Sequence, residues 1–254
     1  MCLILFGYRT HPDLPLVIAA NRDEFHARES AAAGYWQDEP HVLAGRDLVA
    51  GGTWLGCTTS GRFAALTNFA GPTDNPTPKS RGLLVQDFLT GNDSAQHYAH
   101  NIHGHDYAGF NLLLFDGEEL VYTSNKSATE VLRPGFYGLS NAELGAQWPK
   151  CVRGAAALGE ITAHDFVAAD LIGLLRNSDI PPDDQLPHRG RPLELERRVA
   201  PCFILGEEYG TRASTVLIMG REQMLFTEQS YRADGISAGL VDYEFSLTQS
   251  GGKV

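Results

Sequence analysis

The chain has 254 residues, 43% of them apolar, and a formal net charge of −11. That is enough material for one sizeable core, and the acidic balance argues against nucleic acid and anionic membrane surfaces, which need a positive field. Nothing approaches the ~20 apolar residues of a membrane span, and Leu3-Ile4-Leu5-Phe6 is too short for a signal segment, so the expectation is a cytoplasmic protein without an integral membrane segment.

Strands open the chain. Residues 2–8 and 16–20 are continuous apolar runs separated by a turn at His11-Pro12-Asp13, as suits strands buried on both faces. Residues 54–58 and 63–67 flank Thr59-Ser60-Gly61-Arg62, a hairpin signal. Residues 71–79 hold Pro72, Pro76 and Pro78 and read as a loop. Ser80 is placed to cap a helix over 81–89, and Asp93 or Ser94 a second one ending near 101. Strands return at 110–115 and 120–123 around Asp116-Gly117, with shorter extended pieces near Val131 and Tyr137. Helical patterns follow at 148–158 and 164–175, then a second proline-rich loop at 180–191. Strands at 202–205, 214–219, 223–226 and 243–247 close the chain.

Helix pairs set between blocks of strands imply antiparallel or mixed sheets rather than a doubly wound parallel one. Continuous apolar strands are buried best between two facing sheets with helices outside. The expected fold is therefore α+β, a four-layer αββα sandwich of two mainly antiparallel sheets. No linker or repeat divides the chain, so residues 1–254 read as a single domain.

Chemistry concentrates at Cys2. Initiator methionine is usually trimmed before a small residue, which would leave Cys2 with both its thiol and a free α-amine. Such an amine has a pKa of roughly 7.7–8.0 and serves as a base near neutral pH. That is the chemistry of N-terminal-nucleophile hydrolases. Polar residues at the ends of predicted strands supply the remaining parts. Asp23 would hold the α-ammonium or orient the thiol. Asn68 and Asn141 would donate to an oxyanion, a donor being worth about 10²–10³ in rate. Arg212 would lower the thiol pKa by its charge. Taken singly, each asparagine is equally a strand-end or turn residue.

Other runs carry less. Cys2, Cys57, Cys151 and Cys202 lie far apart with no C-x-x-C pair, the pattern of reduced thiols rather than a disulfide framework or zinc site. Gly51-Gly52-Thr53-Trp54-Leu55-Gly56 lacks the Lys-Ser/Thr end of a phosphate loop and reads as a tight turn setting Trp54. His97, His100, His103 and His105 drift around a helix instead of sharing a face and read as a solvated helix end, with adventitious metal or haem binding the second reading. Arg189, Arg191, Arg197 and Arg198, interleaved with Glu194 and Glu196, read as a solvated face.

Met1-Cys2-Leu3-Ile4, Ala19-Ala20-Asn21-Arg22-Asp23-Glu24-Phe25, Gly51-Gly52-Thr53-Trp54-Leu55-Gly56, Ala64-Ala65-Leu66-Thr67-Asn68, Gly109-Phe110-Asn111-Leu112, Tyr137-Gly138-Leu139-Ser140-Asn141 and Tyr209-Gly210-Thr211-Arg212 occur in this order. Together they closely resemble the NRDE family, which includes the eukaryotic transport-and-Golgi-organisation-2 proteins. The resemblance runs from Cys2 to Tyr243-Glu244-Phe245. It implies a branch of the N-terminal-nucleophile (Ntn) hydrolase superfamily, similar to cholylglycine hydrolases and acid ceramidase-like amidases. In those relatives a first-residue cysteine is supported by an early arginine and aspartate, by asparagines and by a late arginine. Carried over, the set is Cys2, Asp23, Asn68, Asn141 and Arg212. The early arginine departs from the pattern: three positions before Asp23 stands Ala20. Arg22 adjoins Asp23, and strand alternation would keep the two from entering one site.

The resemblance also implies a link to haem trafficking and to lipid or acyl-CoA homeostasis. A non-covalent haem needs an apolar slot and one or two axial ligands. Two functions are therefore expected. One is binding and passing on a small amphipathic ligand, foremost haem; the other is metal-independent cleavage of a non-peptide C–N amide bond through Cys2. The departure at Ala20 favours the first. Either way the partner is a small molecule and not nucleic acid.

Overall fold

The computed structural model describes residues 2–69, 71, 75–187 and 189–248. Its strands are Cys2–Tyr8 (β1), Leu16–Phe25 (β2), Ser30–Tyr35 (β3), Val42–Asp47 (β4), Leu55–Thr58 (β5), Phe63–Asn68 (β6), Phe110–Phe115 (β7), Leu120–Ser124 (β8), Glu130–Val131 (β9), Gly135–Leu139 (β10), Tyr209–Met219 (β11), Gln223–Tyr231 (β12) and Ser237–Ser246 (β13). Helices are Gly82–Thr90 (α1), Ala95–His100 (α2), Pro149–Thr162 (α3), Ala168–Leu175 (α4) and Leu193–Val199 (α5). One sheet has the order β10-β1-β2-β11-β12-β13 and the other β3-β4-β5-β6-β7-β8-β9. Every described pairing between these strands is antiparallel.

Strand alternation sorts the apolar residues into three interfaces. Ile4, Phe6, Ile18 and Ala20 look inward and meet Leu43, Leu55, Phe63 and Leu113 of the facing sheet. Their neighbours Leu3, Leu5, Val17 and Ala19 look outward onto Leu158 of α3 and Leu171 and Leu175 of α4. On the other side, Ala64, Leu112 and Leu114 pack against Leu84, Val85 and Phe88 of α1. Because both faces of the central strands are covered, the strands read as unbroken apolar runs. Burying each such leucine or phenylalanine contributes roughly 1.5–3 kcal/mol. The αββα sandwich expected from the sequence is the observed fold.

Close approach fixes one glycine in particular. A Cβ on Gly138 would lie 2.4 Å from the Cys151 carbonyl oxygen, so α3 sits directly on β10 only because that residue has no side chain. The Gly51-Gly52 run is the tight turn expected. Both residues have positive φ (69° and 70°), and Asp47 N–H donates to Gly52 O at 3.0 Å.

Several elements differ from expectation. Strand β2 continues to Phe25, so Asn21-Arg22-Asp23-Glu24 lies within a strand and not beyond one. Residues 202–205 are not a strand; Phe203 and Ile204 are buried, but their N–H groups go to Asn177 O and Thr211 Oγ1 instead of a ladder. Part of the basic stretch is α5, whose Glu196 and Val199 are buried. The Ser80 side chain makes no cap to α1, whereas Ser94 Oγ accepts the His97 N–H at 3.2 Å and caps α2.

Candidate active site at Cys2

Cys2 heads β1 between two strands. Antiparallel pairing with β2 puts Arg22 directly opposite it, and pairing with β10 brings the residues after Leu139 alongside. Cys2 N–H donates to Asn141 Oδ1 at 3.1 Å, and Ser140 Oγ donates to Cys2 O at 2.7 Å. Asn141 Nδ2 in turn donates to Asn68 O at 2.6 Å. Asn141 therefore holds the Cys2 nitrogen through Oδ1, and one of its two amide hydrogens is engaged by Asn68 O. Asn68 lines the pocket that Cys2 lines.

A buried polar network sets Asn141. Thr67 Oγ1 makes a short hydrogen bond to Ser140 O, and Asn111 Nδ2 donates to Ala142 O at 2.8 Å. Tyr122 OH donates to Asn111 Oδ1 at 2.8 Å. Asn111 and Tyr122 stand on β7 and β8 of the opposite sheet, so the network ties the two sheets together at the site. Sequence reasoning passed over Ser140, Thr67, Asn111 and Tyr122. The signal available was a polar residue within an apolar strand, Asn111 in Phe110-Asn111-Leu112-Leu113, since a fully buried amide must find partners.

Arg22 overturns the expectation that it and Asp23 stay apart. Both line one pocket of about 280 Å³ with Cys2, Trp54, Asn68 and Arg81. Their side chains do leave β2 on opposite faces, Arg22 toward Trp54 and Asp47 and Asp23 toward Thr211 of β11. The pocket opens at the end of the sheet and meets both faces. Arg22 is 6% exposed; its guanidinium lies 4.3 Å over the Trp54 ring and 4.0 Å from Asp47 Oδ2. Asp47 itself is engaged by Arg28 Nε at 2.8 Å. Among the described residues, Arg22 Nη1 is buried and has no hydrogen-bond partner.

Electrostatics at the site favour uncharged forms. Burial pushes the Cys2 thiol up, and the Asp23 charge adds to that, while the Asp23 backbone N–H and the Arg22 guanidinium act in the opposite direction. Burial also raises Asp23 from 3.8 to about 6, against the pull of Lys150, the Thr211 hydroxyl and Arg22. Thr211 Oγ1 donates to Asp23 Oδ1 at 2.7 Å. Asp23 thus changes charge near neutrality beside the thiol, as a proton-handling group does.

Arg212 does not join them. Its Nη1 donates to the carbonyls of Phe25, His26 and Arg28 at 2.9, 3.1 and 3.0 Å, closing the turn after β2. The register of β11 against β2 shifts between Thr211 and Ala213, so Arg212 falls on an irregularity that regular alternation does not describe. Its expected part in lowering the thiol pKa is not reflected in its contacts.

A second pocket, of about 470 Å³, adjoins the first. Asn68 lines both, and Phe25, Asn141, Leu195, Val199 and Tyr209 wall the second, with Arg191 and Arg198. Among the described residues, no group of three or more His, Cys, Asp or Glu is arranged to hold a metal ion. None of the helices there is long and apolar enough to cross a membrane.

Two facing antiparallel sheets flanked by helices, with a cysteine at the head of the first strand, define an Ntn-hydrolase fold. The chain superposes on the Caenorhabditis elegans N-acylethanolamine-hydrolyzing acid amidase ortholog with a TM-score of 0.53, covering 85% of this chain and 92% of that one at 10% identity. At that identity the likeness is one of fold. The chain belongs to the Transport and Golgi organisation 2 family, whose model matches residues 1–233. It is 37% identical to the Transport and Golgi organization protein 2 homolog of Bos taurus over 91% of this chain and 93% of that protein. It is 34% identical to the Mus musculus homolog over 97% and 99%.

Proposed function

We propose that this protein hydrolyses C–N amide bonds with Cys2 as nucleophile, once Met1 has been removed. The observation that carries the reading is the Cys2 nitrogen held by Asn141 Oδ1 at 3.1 Å, with Arg22 across the ladder and Asp23 at the same pocket. Removal of Met1 turns that nitrogen into an α-amine, already oriented. Burial raises the thiol, so the thiolate needs a base in contact, and the amine of the same residue is one. The amine takes the thiol proton, and sulfur attacks the amide carbon. Asn68, which lines the pocket, donates to the oxyanion through its side chain in this reading. The α-ammonium then returns its proton to the leaving nitrogen as the C–N bond breaks, and water cleaves the thioester to the carboxylic acid. Asp23 stabilises the transient ammonium. The sequence departure that favoured ligand handling was the missing arginine; a guanidinium does stand beside the thiol, contributed by Arg22.

Assay with a panel of N-acyl amides tests this. Protein lacking Met1 is expected to release amine, and Cys2→Ala to abolish release with folding unchanged. Equal turnover by Cys2→Ala would overturn the reading.

A second reading, carriage of haem as cargo, is favoured by the adjoining pocket, where apolar walls meet Arg191 and Arg198, suited to carboxylates on an apolar plate. Among the described residues no histidine lines that pocket or the Cys2 pocket, and Cys2 is the soft ligand at the latter. His100 and His105 line a separate groove with Asn125 and Lys126. Haem titration of wild type and Cys2→Ala separates the readings: a thiolate-type Soret band lost in the variant supports carriage.

A further inference from the structure

Among the described lysines, Lys79 and Lys126 are exposed and Lys150 is buried, at 5% exposure. Lys150 stands in the first turn of α3, where the helix dipole disfavours a cation. Its one hydrogen bond among the described residues runs from Nζ to the carbonyl of Val199, the last residue of α5, at 3.0 Å. An ammonium has three donors and a full charge, and one carbonyl does not offset its removal from water; a buried charge needs an opposite one. Three carboxylates are buried among the described residues, Asp23, Glu196 and Glu228. Glu196 is held by Arg189, and Glu228 faces the other sheet, where it accepts from Ala33 N–H. Asp179 shares a pocket with Lys150 but is exposed. Asp23 remains, and it lies on the right face. Asn21, two residues earlier on β2, donates to Leu175 O and Cys202 O at 2.9 and 2.8 Å, so both side chains look outward into the layer that holds α3. Residues 199–204 cross that face: Val199 O takes Lys150, Cys202 O takes Asn21, and Ile204 N–H donates to the Thr211 hydroxyl that is bonded to Asp23.

We propose that Lys150 is a positioning residue of the Cys2 site: from behind β2, its ammonium holds Asp23 as the carboxylate that steadies the α-ammonium of Cys2. What the charge is for rests on the hydrolase reading; the pairing of the two buried charges does not. Facing Asp23 are Cys2 on β1, Arg22 on its own strand, Thr211 and Tyr209 on β11, Cys202 in the crossing segment and Lys150 on α3. Burial raises Asp23, and among the side chains that oppose it Lys150 acts most strongly, ahead of Thr211 and Arg22. Without that charge, burial leaves Asp23 protonated near neutrality, and a neutral acid does not stabilise an ammonium. Lys150 lines a separate pocket of about 230 Å³ with Arg153, Asn177 and Cys202, and not the pocket that Cys2 lines, so it acts through Asp23 and not on substrate.

The test follows the Asp23 carboxyl carbon by NMR against pH in the full chain with Met1 retained, the resonance being assigned by its loss in Asp23→Asn. Lys150→Met keeps the buried stem and removes the charge. In it the Asp23 midpoint is expected to rise by about one pH unit or more, and Lys150→Arg is expected to bring it back toward wild type. A lysine that serves only to hold α5 would cost stability and leave the midpoint where it was, and that result overturns the proposal. Wild type decides even where Lys150→Met fails to fold. The Lys150 Nζ nitrogen should show a step in chemical shift at the Asp23 midpoint, lost in Asp23→Asn, and the absence of a step overturns the pairing. With Met1 removed, the acid limb of amide turnover should move up with the midpoint in Lys150→Met. If the midpoint moves and wild type releases no amine from any N-acyl amide, the pairing stands and the hydrolase reading falls.

Discussion

Replacing Asp23 by asparagine is expected to stabilise the protein above neutrality while impairing its chemistry. Burial raises the folded-state pKa of Asp23 from 3.8 to about 6 in the chain with Met1 in place. The folded state therefore prefers the neutral acid. Below pH 3.8 the carboxyl is protonated whether folded or not, and it carries no penalty. As pH rises toward 6 the unfolded chain ionises first, and stability is lost until the folded group ionises as well. At about 1.4 kcal/mol per pH unit, the full penalty above pH 6 is about 3 kcal/mol. Asparagine keeps an oxygen for the Thr211 hydroxyl, 2.7 Å from Asp23 Oδ1, and never ionises. Urea denaturation of wild type and Asp23→Asn, both with Met1 retained, at pH 4 and 7.5 reads the difference. The variant should gain a few kcal/mol at pH 7.5 and close to nothing at pH 4. A variant no more stable than wild type at pH 7.5, or a gap unchanged between the two pH values, refutes the argument.

Three further outcomes follow from the same geometry. Asn141→Ala leaves the Cys2 nitrogen without its acceptor and should lower kcat about 10²-fold, the cost of misplacing a reacting group by about 1 Å, as read by steady-state kinetics with circular dichroism unchanged. Tyr122→Phe removes the hydroxyl bonded to Asn111 Oδ1 in the inter-sheet network and should cost about 1–3 kcal/mol in chemical denaturation. Gly138→Ala drives a methyl against the Cys151 carbonyl and should cost about 1–3 kcal/mol, with a fall in melting temperature as the readout.

The layers were legible because buried strands announce themselves. Residues 2–8 are apolar throughout and 110–115 are apolar except for Asn111, and two-sided burial accounts for that. Strand β3 was not, since Ser30-Ala31-Ala32-Ala33-Gly34 carries neither alternation nor β-branched residues; its place comes from pairing with β4 and from Ala33 N–H bonding Glu228 Oε1 at 2.8 Å. Residues 202–205 have strand composition but are buried by side chain alone. Helix α5 hid within a run of mixed charges, because its seven residues leave little room for a periodic signal.

At the site, Cys2, Asp23, Asn68 and Asn141 were visible as polar residues next to apolar runs, and the structure brings them together. What the sequence hid was geometry. Alternation correctly sent Arg22 and Asp23 to opposite faces but said nothing of a pocket at the sheet's end. It had no purchase on Arg212, which lies at a register shift. The roles of the asparagine atoms, Oδ1 on Cys2 and Nδ2 on Asn68, depend on a network drawn from residues more than 70 positions apart in sequence.

The most direct measurement is the mass of the N-terminal peptide after acid-quenching the protein within seconds of mixing with a panel of N-dodecanoyl amides. The other three cysteines are buried, whereas Cys2 is partly exposed and lines a pocket, so Cys2 is the one placed to react. The account predicts a peptide that begins at Cys2 and carries one dodecanoyl group on that residue. A peptide that retains Met1, or one that begins at Cys2 and is never acylated, would contradict it.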